Sequence, residues 1–155
     1  KGFAAFQKGG CSKCHKMGDR GQEFGPALSA IGTRLSTQQL FSAILKPSET
    51  ISQGYEGVIV VTDQGVLHTG FITTETKEAL TLRIPGGLQK EISKESIDFR
   101  SRSKVSLMPQ GIDAVLSPRE LVDLVGWLKT QRTGMTQGTG KVQQRGNSQV
   151  NVPGT

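Results

Sequence analysis

The chain is poor in aromatic residues and contains no long apolar run. Aromatic side chains make up 5% of its 155 residues and hydrophobic side chains 34%, which is thin for a self-sufficient core of this length. A large buried ligand would supply the apolar surface that the side chains lack. No stretch approaches the ~20 apolar residues of a membrane-spanning helix, so we expect no membrane span in this chain.

Cysteine is scarce too, and the two cysteines are only three positions apart, at Cys11 and Cys14. A pair this close cannot serve as a disulfide framework for a domain of this size. The spacing therefore points to chemistry at the thiols.

Charge is unevenly distributed along the chain. The net charge is +6. Basic and acidic residues are equal in number within residues 54–104, so the excess of basic residues lies in the segments before and after that range. A basic protein can bind nucleic acid, an anionic membrane or an acidic protein. Because no Lys/Arg run and no interleaved aromatic residues mark a nucleic-acid surface, we expect an acidic protein partner and no nucleic acid.

Two segments carry clear helix signals. Ser36 with Gln39 forms a capping-box pattern before a helix that is predicted to span about 36–46. Ser117 with Glu120 forms a second one, with Pro118 at the first helical position. A short amphipathic helix is also predicted near the start of the chain, over residues 1–10.

The amino-acid composition changes between the second and third of these predicted helices in chain order. Residues 54–104 are rich in Val, Ile and Thr, with turn residues at short intervals, which is typical of an antiparallel meander. Its predicted strands are VIVVT, VLHTGFITT, ALTLRI and LQKEISKESI. We therefore expect one domain formed by residues 1–53 and 105–132, a β-rich insertion at 54–104, and a flexible Gly/Gln/Thr-rich tail at 133–155.

The motif Cys11-Ser12-Lys13-Cys14-His15 is the most specific feature of the sequence. Two thiols at this spacing can form thioethers with the two vinyl groups of a haem, and His15 then lies beside the iron as its first axial ligand. The other interpretations are a redox dithiol, which would need a βαβ context, or half of a zinc site. Zinc needs four ligands, and the only other His or Cys is His68.

A haem iron bound this way has a sixth position to fill. Met17 is too close to His15 to reach the opposite haem face, Met135 lies in the tail, and His68 falls within a predicted strand. Met108 precedes a proline in a loop before the last helix, so we predict it as the axial ligand.

The other imidazole nitrogen of a ligating histidine usually donates to a carbonyl or a carboxylate. The Pro26 carbonyl is the candidate acceptor for His15. The candidate donors to the haem propionates are Arg34, Tyr55 and Ser52. They are chosen only because of their positions in the sequence.

These motifs, in this order, resemble the class I c-type cytochromes. The similarity is closer to the planctomycete-type haem-binding domain, in which a β-rich segment precedes the axial methionine. The segments that carry it are Lys46-Pro47-Ser48 through Gly54-Tyr55, the strand pair around Thr62-Asp63-Gln64-Gly65, Ser106-Leu107-Met108-Pro109-Gln110-Gly111, and Leu116-Ser117 leading into Glu120-Leu121. The resemblance covers roughly residues 2–130 and implies a mostly α cytochrome c fold with an inserted antiparallel β meander. It also implies that Phe6 and Trp127 pack together where the first and last helices cross.

The predicted function is electron transfer by one covalent haem c with His15 and Met108 as iron ligands, and the chain itself is not expected to be an enzyme. It would work as a free carrier or as the haem module of a larger dehydrogenase. The alternative is a haem enzyme or gas sensor with an open sixth site. Because haem attachment to this motif normally occurs outside the cytoplasm, we expect a periplasmic or other extracytoplasmic location and a leader that is removed or lies upstream. Lys8, Lys13 and Lys16 could steer an acidic redox partner.

Overall fold

The computed structural model describes residues 1–132, apart from the side chain of Asp113. The predicted tail at 133–155, with Met135, lies outside the described residues. The helices are α1 (Gly2–Lys8), α2 (Ile31–Arg34), α3 (Thr37–Leu45) and α4 (Pro118–Thr130). The strands are β1 (Val58–Thr62), β2 (Leu67–Glu75), β3 (Ala79–Arg83), β4 (Gln89–Ser93) and β5 (Ile97–Arg102).

Both predicted capping boxes are confirmed. At the start of α3, the Ser36 hydroxyl accepts from the Gln39 N–H while the Gln39 side chain accepts from the Ser36 N–H. Ser117 and Glu120 make the same exchange at the start of α4, and Pro118 follows the cap. Each box satisfies two backbone donors that the helix itself leaves unpaired.

Helices α1 and α4 cross in close contact, and the predicted Phe6–Trp127 pair is confirmed with ring centroids 5.2 Å apart. A Cβ atom at Gly2 would overlap Trp127 Cβ and the Asp123 carbonyl, so only glycine permits this approach. The crossing belongs to the helical core, whose buried members come from all four helices and from Leu116.

The strands form one antiparallel sheet in the order β4-β3-β2-β1-β5. The meander prediction is confirmed for β1 to β4. The predicted strand LQKEISKESI is wrong in extent, because β4 ends at Ser93 and a 3-10 turn over Lys94–Ser96 carries the chain to the far edge of the sheet. There β5 pairs with β1, with a register shift between Val61 and Thr62.

The predicted fold class, a mostly α cytochrome c fold with an inserted meander, is wrong. Over the described residues the helices have 7, 4, 9 and 13 residues, and the strands have 5, 9, 5, 5 and 6. The sheet has its own buried core, formed by Val58, Val60, Leu80, Leu82 and Ile92. The fold is therefore α+β, because the β-branched segments build a second packed layer that is comparable in size to the helical one.

No helix within residues 1–132 is both long enough and apolar enough to cross a membrane, which agrees with the sequence-based expectation.

Candidate functional site

The motif Cys11–His15 forms a tight turn directly after α1. Gly10 adopts a left-handed conformation (φ 70°), and residues Cys11–Lys13 then form a 3-10 turn. The His15 N–H donates to the Cys11 carbonyl at 2.9 Å. This turn brings both thiols and the imidazole onto one short piece of backbone.

The imidazole of His15 is fixed by the predicted partner. Its Nδ1 lies 2.7 Å from the Pro26 carbonyl oxygen. Because a carbonyl can only accept, Nδ1 carries the proton and Nε2 of the neutral ring keeps its lone pair. Burial lowers the pKa of His15, against the opposing effect of the Pro26 carbonyl, so the neutral form is favoured near pH 7.

The backbone of Gly25 packs against the imidazole ring of His15. A Cβ atom there would lie 2.8 Å from Cε1 of His15, which is closer than real Cβ contacts allow. The Gly25 N–H also donates to the Cys14 carbonyl at 2.6 Å, and the Phe24 N–H donates to the same oxygen at 3.1 Å. The loop around residues 22–26 is thus tied by its backbone to the motif that it supports.

The pKa values of both thiols are raised from their ordinary value. Burial is the largest influence on both and raises the pKa of Cys11 and of Cys14. Lys13 lowers the pKa of Cys14 without outweighing burial. Reactive dithiols have lowered pKa values, so this environment does not favour a redox dithiol.

An apolar cavity of about 380 Å³ opens beside this turn. Its lining includes Cys14 and His15, apolar side chains of α2 and α3, and Leu128 of α4. Met108 lines the same cavity although it is far from the motif in the chain. This volume lies within the range of cofactor and small-molecule sites.

The loop that bears Met108 is held at both sides. The Met108 N–H donates to the Ser106 hydroxyl at 3.1 Å, and the Ser106 N–H donates to the Ser48 hydroxyl at 3.1 Å. Leu107 packs so closely on Gly57 that a Cβ there would lie 2.9 Å from Leu107 Cγ. The thioether is therefore carried by a loop anchored to both the helical part and the sheet.

The other candidate ligands lie elsewhere. Met17 packs against the helical core and forms a bridge with Arg20. His68 is on β2 opposite Val60 and is not a lining residue of the cavity.

The three predicted propionate donors, Arg34, Tyr55 and Ser52, all line the cavity. Arg34 donates Nη2 to the Ala27 carbonyl at 2.8 Å. The Tyr55 N–H donates to the Ser52 carbonyl at 3.0 Å. Their positions leave the assigned role a prediction.

Sequence reasoning missed Phe71, which the sheet contributes to the cavity wall. This side chain is 4% exposed and lies between Phe24 and Tyr55, with ring centroids 4.8 and 5.3 Å away. Its one sequence signal is that it is the only aromatic residue in its predicted strand. Local patterns could not show that this strand reaches a loop near the start of the chain.

The lysines expected to steer a partner differ in their surroundings. Lys8 places Nζ 2.8 Å from both carboxylate oxygens of Glu120, and Lys16 lies 3.7 Å from Glu23. Lys13 is exposed beside the motif.

Within the described part of the chain, no group of three or more His, Cys, Asp or Glu side chains could by itself hold a metal ion. An imidazole and a thioether on an apolar cavity instead form a donor set that suits iron within a prosthetic group. No protein-family model matches this chain, and no curated protein matches it.

Proposed function

We propose that this chain is an electron-transfer c-type cytochrome that binds one haem c through thioethers at Cys11 and Cys14. The observation that carries the proposal is the state of His15. Its Nδ1 is engaged by the Pro26 carbonyl, so Nε2 is the nitrogen free to bind a metal, on a cavity that Met108 also lines.

The residues around the cavity fit such a group. The lining is mainly apolar, and its titratable side chains among the described residues are Cys14, His15, Arg34 and Tyr55. Gly25 lets the backbone approach the imidazole, because a side chain at this position would collide with the ring. Imidazole with thioether is the ligand pair of electron-carrying c-type cytochromes.

When bound, haem supplies an iron that alternates between the ferrous and ferric states. Cys14, which lines the cavity, and Cys11, which packs against the helical core, would hold the group covalently, so that its position would not depend on a binding equilibrium. Pro26 fixes the tautomer and the orientation of His15. Met108 favours the ferrous state, because thioether ligation raises the reduction potential, and the apolar lining disfavours the additional charge of the ferric state.

Arg34, Tyr55 and Ser52 are proposed to bind the propionates. Arg34 is a permanent cation at the cavity, and its bond to the Ala27 carbonyl orients the guanidinium.

The proposed partner is a redox protein with an acidic docking face, attracted by Lys13. Lys8 and Lys16 contribute less net attraction because each has an acidic neighbour. Covalent haem implies maturation outside the cytoplasm, so we propose a periplasmic or other extracytoplasmic location. The resemblance to the planctomycete-type haem-binding domain supports a role as the haem module of a larger dehydrogenase, and a free carrier is equally compatible with the sequence.

The competing proposal, a haem enzyme or gas sensor, needs a distal acid–base group. His68 is the only second histidine, and its place on β2 outside the cavity lining gives that proposal no support.

The test is the visible and near-infrared spectrum of protein matured with a haem-attachment system, for wild type, Met108→Ala and the matched control Met17→Ala. We expect a six-coordinate low-spin spectrum in both redox states, with the sulfur–iron band lost only in Met108→Ala. A wild type that binds no covalent haem would refute the proposal. A high-spin wild type that binds carbon monoxide would favour the enzyme or sensor.

A further inference from the structure

The sheet contacts the loop that supports the imidazole. Arg83 on β3 donates Nη1 to the Glu23 carbonyl at 3.0 Å. Phe71 on β2 packs on Phe24 with ring centroids 4.8 Å apart, and both rings are 4% exposed. Phe71 and Arg83 are directly opposite each other across the two strands. The cross-strand pair Phe71 and Arg83 therefore contacts two consecutive residues of the loop, Glu23 and Phe24.

The sheet side of this contact is well fixed. A Cβ at Gly70 would overlap the Arg83 carbonyl, so β2 and β3 approach closely at this position. The turn after β3 also lies near the loop, since a Cβ at Gly87 would lie 3.6 Å from the Glu23 nitrogen. Arg83 thus reaches the loop from a position where β2 and β3 lie close together.

The opposite side of the loop is the imidazole site. The Cys14 carbonyl accepts from Phe24 and Gly25, Gly25 packs on the His15 ring, and the Pro26 oxygen lies 2.7 Å from Nδ1. Only residues 24 and 25 separate the carbonyl held by Arg83 from the carbonyl held by His15. A short segment with contacts on both sides therefore connects Glu23 to the Nδ1–H···O bond.

We propose that the sheet regulates the strength of His15 as an iron ligand, with Arg83 as the positioning residue. This inference rests on the proposed haem function. A strong Nδ1–H···O bond makes the imidazole more basic and so favours the ferric state. Releasing the loop lengthens the Nδ1–H···O bond. The imidazole then becomes a weaker ligand of the iron, and the reduction potential rises.

The direction in which the reduction potential changes distinguishes this mechanism from a direct effect of the arginine charge on the iron. Removing a positive charge near the iron favours the ferric state and lowers the potential. Loss of the loop contact acts in the opposite direction. Arg102 on β5 is the matched control, because it is an exposed arginine of the same sheet, and β1 and β2 separate its strand from β3.

The experiment compares Arg83→Ala, Arg83→Lys and Arg102→Ala in the haem-loaded protein by spectroelectrochemical titration. We expect Arg83→Ala to raise the ferrous-to-ferric ratio at fixed potential by up to about tenfold, or about 59 mV for one electron. Arg83→Lys keeps a charged donor and should return towards wild type. Arg102→Ala should leave the potential unchanged or slightly lower.

A second readout reports the hydrogen bond itself. In the diamagnetic ferrous protein, the NMR signal of the His15 Nδ1 proton should exchange with solvent faster in Arg83→Ala than in Arg102→Ala. The same signal can be followed in unloaded protein, so a failure to attach haem refutes the proposed function while this arm still tests the loop contact. Should Arg83→Ala fail to fold, Arg83→Gln, which shortens the donor and removes the charge, replaces it.

Equal potentials and equal exchange rates in Arg83→Ala and Arg102→Ala would overturn the inference. That result would mean that the bonds to the Cys14 carbonyl hold the loop without help from the sheet.

Discussion

The helical region and the sheet are packed in different ways. The sheet core consists of five aliphatic side chains, of which Val58, Val60, Leu80 and Leu82 are fully buried. The helical core also contains aromatic and sulfur-bearing neighbours, and four of its buried members, Ile31, Leu40, Ile44 and Leu128, line the cavity as well. The sheet core is therefore filled by its own side chains, whereas the helical core faces a cavity that a ligand can fill and to which the sheet contributes Phe71.

This difference explains where the site lies. A dry aliphatic core resists change because every buried atom already has a neighbour. A core that opens onto a cavity can gain contacts when the cavity is filled. We infer that the sheet acts as a rigid support and that the helical region holds the chemistry.

The largest effects should come from truncating one leucine in each core. Leu124 and Leu82 are both 0% exposed. Leu124→Ala and Leu82→Ala should each lower the free energy of unfolding by about 2–5 kcal/mol, from lost burial and the cavity left behind. Denaturant unfolding of the two variants measures this cost.

Hydrogen exchange then sharpens the comparison between the regions. Leu124→Ala should speed exchange mainly in α4, and Leu82→Ala mainly in β2 and β3. Equal acceleration across the whole chain by either variant would mean that the helical core and the sheet core unfold as a single unit.

Two glycines of the helical region should respond in opposite directions. Gly2→Ala places a Cβ against the Asp123 backbone and Trp127, so α1 must move, at a cost of about 1–3 kcal/mol. Gly126→Ala meets nothing within 4 Å and should stabilise α4 by roughly 1 kcal/mol through helix propensity. Thermal unfolding of the pair measures both; a neutral Gly2→Ala would contradict the tight crossing of α1 and α4.

Features encoded by neighbouring residues could be predicted from the sequence. The capping boxes at Ser36 and Ser117 involve residues three apart, and the His15–Pro26 contact lies within one loop. The fold-class prediction is wrong because the resemblance implied a mostly helical fold, whereas the strands build a sheet with its own buried core. The place of β5 could not be predicted either, since it pairs with β1 instead of extending β4 and local patterning contains no signal for that pairing. Arg83 and Glu23 are 60 residues apart, so their contact also depends on tertiary packing.

The smallest expected effect compares one surface carboxylate in each region under acid. Hydrogen bonds from Arg100 and then Lys94 lower the pKa of Glu75 in the sheet to about 2. Hydrogen bonds from Lys8 and then the Ser117 N–H lower the pKa of Glu120 at the start of α4 to about 2. In both, the folded-state pKa lies below the ordinary value of 4.5, so the stabilising contribution is complete above about pH 4.5 and is lost as the pH falls to about 2.

Side-chain NMR titration of Glu75 and Glu120 measures these pKa values, and Glu75→Gln and Glu120→Gln are the control variants. Because both carboxylates are on the surface, added salt should move both pKa values back towards 4.5. Glu120 should move less, since its bond to the Ser117 N–H belongs to the capping box and does not depend on a mobile cation. A larger salt response at Glu120 than at Glu75 would mean that Lys8 alone sets its pKa, and that the capping box adds nothing to the acid resistance of the helical region.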